Sequence, residues 1–352
     1  MPPSHAHFNG SVNLADAESV MREIVSRVPS GLRRIPDGET GDRGNWILFQ
    51  MRRFLQSPAL VVVQQGDGGD GDYEQMPRLR LAGGIDPAQM KWPDIGYADA
   101  YLASYDTFAA LREQGVIPAG VRFQVEYPTP LASIGAYIVP EQQALLLGSY
   151  EQAMFADLDR VLKAILPGEV AVQWDVAVEF GVLEGAFGPG GAQAFDAIIA
   201  GLVRCVDQVP AEIPVGLHLC YGDYGHTHFK QPESLALQVR VVNAVTAAAG
   251  RTVSFVSFTV PQYQRHESYF APLAGLAADA ATELNFALVP YHPADQASGT
   301  TGDQVRILDA ALAASPGGPR DWGVCTECGM GRVDRGQVPE LLDLHREIIA
   351  AS

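Results

Sequence analysis

Short apolar runs alternate with longer stretches whose apolar residues recur at three- and four-residue spacing, and the alternation continues along the whole chain. The short runs read as buried strands and the longer stretches as helices with one apolar face. Eight strands are predicted, at His5–Ser11, Leu32–Pro36, Val121–Glu126, Val170–Asp175, Ile213–Cys220, Val253–Thr259, Leu284–Pro290 and Trp322–Thr326. Helical periodicity marks Asp16–Arg27, Tyr101–Gln114, Pro140–Ile165, Gln193–Val206, Pro232–Ala249, Ser268–Ala278, Asp303–Ala314 and Val338–Ala350. First-turn Pro-Glu pairs at Pro140-Glu141 and Pro232-Glu233 suit helix N-termini. Strand, loop and helix repeated in this way predict an α/β fold, a single (β/α)8 TIM barrel occupying residues 1–352.

One segment breaks the rhythm. Gln65–Ala98 contains GDGGDGD, several prolines and little periodicity, and reads as a loop insertion after the second strand. Loops that follow barrel strands form the active-site rim, so this one is a candidate lid. A calcium loop is the weaker reading, because the terminal glutamate of the EF-hand spacing is missing.

Composition narrows the partners. With 24 basic against 41 acidic residues the formal charge is −17, which repels both nucleic acid and an anionic membrane. The N-terminal MPPSHAHFNG has no basic region leading into an apolar one, and no apolar stretch is long enough to span a bilayer, so a cytoplasmic location is expected. The four cysteines, Cys205, Cys220, Cys325 and Cys328, are too sparse for a disulfide framework and are expected to be reduced thiols.

Barrel chemistry gathers where the strands end, and ionisable residues cluster there. Asp37, Glu39 and Arg43 follow the second strand, Glu126 ends the third, and Asp175 and Glu179 lie at the end of the fourth. His218 and Cys220 end the fifth, His292 follows the seventh, and Glu327 and Cys328 follow the eighth. Side chains alternate along a strand, so His218 and Cys220 point the same way. With Cys328 they form the soft ligand set that zinc favours, leaving a coordination position open. Other readings compete. Cys325 and Cys328 form a CxxC, but at the end of a last strand rather than the start of a helix, which suits a structural Cys325 better than a redox pair. His5-x-His7 matches the paired histidines of amidohydrolase-type enzymes, yet the aspartate those enzymes need after the last strand is missing. Gly222-Asp223-Tyr224-Gly225-His226-Thr227-His228 is a polar loop whose histidines are candidates for a fourth ligand.

His218-Leu219-Cys220-Tyr221, followed about a hundred residues later by Glu327-Cys328-Gly329, resembles the zinc motif in the catalytic barrel of cobalamin-independent methionine synthase. Ile35-Pro36-Asp37-Gly38-Glu39-Thr40-Gly41 and Gly10-Ser11-Val12 are similar to smaller standalone relatives of that enzyme within the uroporphyrinogen decarboxylase-like superfamily. The resemblance implies Zn2+ held by His218, Cys220 and Cys328, which activates a small-molecule thiol to take a methyl or alkyl group from a donor. It implies catalytic roles for Asp175 and for His292 as an acid, and substrate contacts from Asp37, Glu39, Arg43, Glu126, Glu179 and Tyr221. Two positions depart from the family. Phe258-Thr259 stands where its glutamate ligand ends strand six, leaving Glu327, Asp223 or water to complete the site, and Asp175-Val176-Ala177 replaces Asp-Glu-Pro. The chain is too short for the family's second barrel, which leaves folate, like a homodimer, an open question. The rival reading is a metal-independent decarboxylase or lyase, with Arg33, Arg34, Asp37 and Arg43 holding substrate carboxylates.

Overall fold

The computed structural model describes residues 3–44, 46–65, 77–188, 192–223 and 227–350. After strand β1 (His5–Ala6) and helix α1 (Ala17–Arg27) come β2 (Arg34–Pro36), α2 (Trp46–Phe54), β3 (Leu60–Gln64) and β4 (Arg78–Leu81). They are followed by α3 (Tyr97–Glu113), β5 (Arg122–Pro128), α4 (Pro130–Tyr137), α5 (Pro140–Ala164), β6 (Val170–Val176), α6 (Val178–Leu183) and α7 (Ala192–Asp207). The chain continues through β7 (Val215–Leu219), α8 (Ala236–Ala248), β8 (Phe255–Phe258), α9 (Glu267–Phe270), β9 (Glu283–Phe286), α10 (Thr300–Ala313), β10 (Trp322–Val324) and α11 (Val338–Ala350).

Eight of these strands form one curled parallel sheet in the order β1-β10-β9-β8-β7-β6-β5-β2. Its two edges approach each other at a parallel bridge between Ala6 and Leu32, with the Ala6 N–H donating to the Gly31 carbonyl at 3.1 Å. All eight predicted strands are found; six are shorter than expected, while β5 and β6 run past their predicted ends to Pro128 and Val176. Alternation explains their composition. In β6, Val170, Val172, Trp174 and Val176 occupy one set of alternate positions, while Gln173 and Asp175 occupy the other and bond across the sheet interior. A strand buried on both faces therefore reads as a nearly continuous apolar run with polar residues only at interior positions.

Interior crowding is managed by glycine. A Cβ on Gly216 of β7 would lie 2.1 Å from the Phe255 ring of β8, and one on Gly323 of β10 would lie 2.4 Å from the Asn285 amide. The helices follow their local signals: Asp16 caps α1 by accepting the Ser19 N–H at 2.8 Å, and Val20, Met21 and Ile24 form its buried face. The helix expected over Ser268–Ala278 is instead the short α9 followed by a 3-10 turn at Ala271–Gly275, because Pro272 supplies no N–H for a continuing α-helix.

Helices α2, α4 and α6 and the antiparallel β3–β4 hairpin are additional to the sequence reading. Residues 66–76, the glycine-rich part of the expected insertion, lie outside the described residues. The described part that follows packs on α4, through a parallel bridge of Leu79 to Ile138 and an Arg78 hydrogen bond of 2.7 Å to the Gly135 carbonyl. Among the described residues no helix is long and apolar enough to cross a membrane.

Candidate functional site

A cavity of about 960 Å³ opens at the C-terminal ends of the strands. Glu39, Asp175, His218, Cys220 and Cys328 line it, joined by Asn9, Ser11, Tyr97, Asp223 and Arg332. Parallel register places the first of these groups together: Asp175 of β6 stands opposite His218 of β7, and the Cys220 N–H, one residue past the strand, donates to the Val176 carbonyl at 2.9 Å.

His218 Nδ1 lies 3.2 Å from Asp175 Oδ1, and its Nε2 lies 3.3 Å from the Glu327 carbonyl. Burial depresses the imidazole pKa, but the hydrogen bond and charge of Asp175 outweigh it and hold the pKa above the ordinary value. Asp175 also accepts a 2.9 Å hydrogen bond from the Gln173 amide.

Cys220 Sγ and Cys328 Sγ are 3.9 Å apart, and the Gly222 N–H donates to Cys220 Sγ at 3.2 Å. Contact with Cys220 and burial push the Cys328 thiol well above its usual pKa. Cys328 is placed by its own loop: a Cβ on Gly329 or Gly331 would come within 2.4 or 2.8 Å of Ser11 Oγ, so only glycine lets this loop lie against the first strand's end.

Glu39 has a different environment. It carries φ +50° between Gly38 at +78° and Gly41 at +69°, a left-handed backbone that a glutamate adopts only at a cost of about 1–3 kcal/mol. The turn is held by Asp37, which accepts the Glu39 N–H at 2.9 Å and pairs with Arg43. Burial and the neighbouring Asp175 charge raise the Glu39 pKa to about 8, and its Oε1 is buried without a hydrogen-bond partner.

The remaining sequence-predicted residues stand behind the cavity wall. Asp37 and Arg43 face each other, with the guanidinium over the Tyr101 ring at 4.6 Å. Glu126 accepts from the Gln124 amide at 2.7 Å, and burial raises its pKa well above the carboxylate range. Glu179 accepts from the Thr129 hydroxyl, and Tyr221 donates to Glu184 at 3.1 Å. His292 is bracketed by Gln262, whose side chain accepts its N–H at 2.9 Å and donates to its carbonyl at 3.2 Å. Glu327 is turned to the Gln262 N–H at 2.9 Å and to His228 Nε2 at 2.8 Å, while His226 lies outside the described residues.

Two competing readings lose their footing. His7 is bonded to Gln173 at 2.9 Å and its pKa is driven well down by burial and Arg34, while His5 pairs with Glu283 at 3.1 Å, so His5-x-His7 is part of an interior network. Arg33 and Arg34, expected to hold substrate carboxylates, precede β2 or open it, and both pair with Glu283 at the start of β9. They therefore lie at the strand N-termini, away from the mouth. Arg332 and Arg78, which the sequence reading missed, are the arginines that line the cavity. Arg332 follows the Cys328 loop, a position that could have marked it; nothing near Arg78 in the chain signals its place.

The sulfur pair suits a metal. Zinc takes thiolate at about 2.3 Å, which puts two tetrahedral sulfur ligands about 3.8 Å apart. The observed 3.9 Å matches that spacing, and His218 faces the same cavity with Nδ1 fixed by a carboxylate, the arrangement that orients a ligand imidazole. Among the described residues no three His, Cys, Asp or Glu side chains stand in metal-holding geometry, and His218 Nε2 rests 3.3 Å from the Glu327 carbonyl.

No family model and no curated protein matches this chain. A solved structure from Listeria monocytogenes, described as a "putative vitamin-B12 independent methionine synthase", is similar over 99% of this chain and 98% of its own, with a TM-score of 0.54 and 11% identity. At that identity the likeness concerns the fold, and it extends over the full length of both chains.

Proposed function

We propose that this chain is a closed (β/α)8 barrel that transfers a methyl or other alkyl group to a small-molecule thiol, using zinc held by His218, Cys220 and Cys328. The observation that carries the reading is the pair of sulfurs 3.9 Å apart on the wall of the large cavity, beside an imidazole oriented by Asp175. The fold likeness to a structure named for methionine synthesis supports the same direction. Bound there, zinc lowers the pKa of an entering thiol so that it is a thiolate at neutral pH.

The chain's own residues account for the rest. Asp175 holds His218 Nδ1 and leaves Nε2, which rests 3.3 Å from the Glu327 carbonyl, as the nitrogen that would meet a metal. The substrate thiolate forms a sulfur–carbon bond as the donor's carbon–leaving-atom bond breaks, and the leaving atom departs with the electron pair and requires a proton. Glu39, a residue of the cavity wall whose carboxyl is held protonated up to about pH 8, supplies it. His292, the acid that the family resemblance implies, is not among the residues that line the cavity. Of the four residues of the metal-independent decarboxylase reading, Arg33 and Arg34 pair with Glu283, and Arg43 pairs with Asp37.

The test is X-ray absorption of the zinc-loaded protein with homocysteine added. An additional zinc–sulfur scatterer, with release of about one proton, is the expected result. If no thiol enters the metal shell while metal-free protein turns over a carboxylated substrate, the reading is wrong.

A further inference from the structure

The cavity is far larger and more apolar than an amino-acid thiol requires. Its 960 Å³ lies at the top of the range of about 300–1,000 Å³ seen for drug-sized ligands. Beyond the polar floor at Cys220 and Cys328, the wall is built by Leu131 and Ala136 of α4, Val178 and Val182 of α6, Ile198 of α7, and Phe229. Apolar surface left open to water at this scale marks a site for an apolar ligand.

Of the two arginines that line the cavity, Arg332 pairs with Asp223 at 3.6 Å. Arg78 lines the cavity, donates to the Gly135 carbonyl at 2.7 Å, and has no carboxylate partner among the described residues. Arg78 is half-buried, and that burial lowers its pKa. Arg78 meets the cavity at Gly135 of α4, the helix that follows β5, whereas the sulfurs follow β7 and β10.

We propose that the cavity takes an amphipathic anion: a molecule with an apolar body whose anionic head meets Arg78 and whose reacting end reaches Cys220 and Cys328. The identity of the reacting end as sulfur rests on the thiol-transfer reading; the apolar body and the anionic head do not.

Calorimetry on the zinc-loaded full chain tests this with mercaptooctanoate, mercaptopropionate, octanethiol and octanoate. Mercaptooctanoate is expected to bind at least tenfold more tightly than mercaptopropionate, which lacks the apolar body, and than octanethiol, which lacks the head. Arg78→Gln should bring mercaptooctanoate down to the octanethiol level and leave octanethiol unchanged, while Arg78→Lys restores most of the difference. Val182→Glu should weaken both long thiols, and the probe series on the unmodified protein stands on its own if that variant does not fold. Equal affinity for the short and long mercapto acids, or no effect of Arg78→Gln, overturns the proposal. Arg78-dependent octanoate binding without any thiol transfer removes the reaction reading and leaves this one in place. Transfer confined to mercaptopropionate does the opposite.

Discussion

Cys220 Sγ and Cys328 Sγ stand 3.9 Å apart although 108 residues separate them in sequence. One follows β7 and the other follows β10, and the curled sheet together with the glycine-lined approach of the Cys328 loop to Ser11 brings them to the same cavity.

Each sulfur is therefore expected to be needed for metal. Cys220→Ser and Cys328→Ser should each lose most of the zinc found in purified protein, and Cys205→Ser, buried in α7, should keep it. Asp175→Asn should bind zinc about 10–100-fold more weakly, because it misdirects the His218 ring without removing a ligand. Elemental analysis and chelator competition read both effects, and full zinc in both Cys220→Ser and Cys328→Ser would place the metal elsewhere.

On the proposed reading, Glu39 is expected to set the pH dependence of transfer. Its carboxyl holds its proton up to about pH 8, so the rate of alkyl transfer should fall as pH rises through that value. Glu39→Gln should be slower by about 100-fold or more and lose this limb of the profile. An unchanged limb in the variant would assign the titration to another group.

Glu179 sets a pH dependence of stability instead. Burial raises its pKa from 4.5 to about 7, so between these values the folded chain keeps a proton that the unfolded chain releases, and stability falls as pH rises through this window. Glu179→Gln keeps an acceptor for the Thr129 hydroxyl and removes the penalty. Urea unfolding should find the variant more stable at about pH 8, by up to ~3 kcal/mol, and little changed at about pH 4.

Gly216→Ala tests the packing of the sheet interior. The added methyl would meet the Phe255 ring, whose rearrangement is restrained by the Arg34 guanidinium over it at 3.8 Å. A loss of about 1–3 kcal/mol is expected from overpacking, measured as a lower denaturation midpoint with an unchanged slope.

The alternation of apolar runs by itself determined the eight parallel strands, because a strand covered on both faces must be apolar outward and tolerates polar residues only at interior positions, as in β6. The same alternation placed Asp175, His218 and Cys220 at strand ends, where they do line the cavity. Local capping chemistry was also present in the chain and was overlooked: Thr129-Pro130 opens α4, with the Thr129 hydroxyl accepting the Ala132 N–H at 3.2 Å.

Tertiary structure alone decided which residues at the strand ends face the cavity. Glu179 and Tyr221 follow the right strands yet turn to Thr129 and Glu184, and the His292 backbone is bonded at both its N–H and its carbonyl by the Gln262 side chain. Arg33 and Arg34 were misassigned because charge in a sequence carries no direction along a strand, and Glu283, some 250 residues away, draws both to the opposite end. Arg78 belongs to a hairpin whose place is set by its contact with α4, a long-range packing choice that periodicity does not encode. Spacing along a strand fixes which side a residue takes; the partner it meets there depends on what the rest of the chain brings alongside.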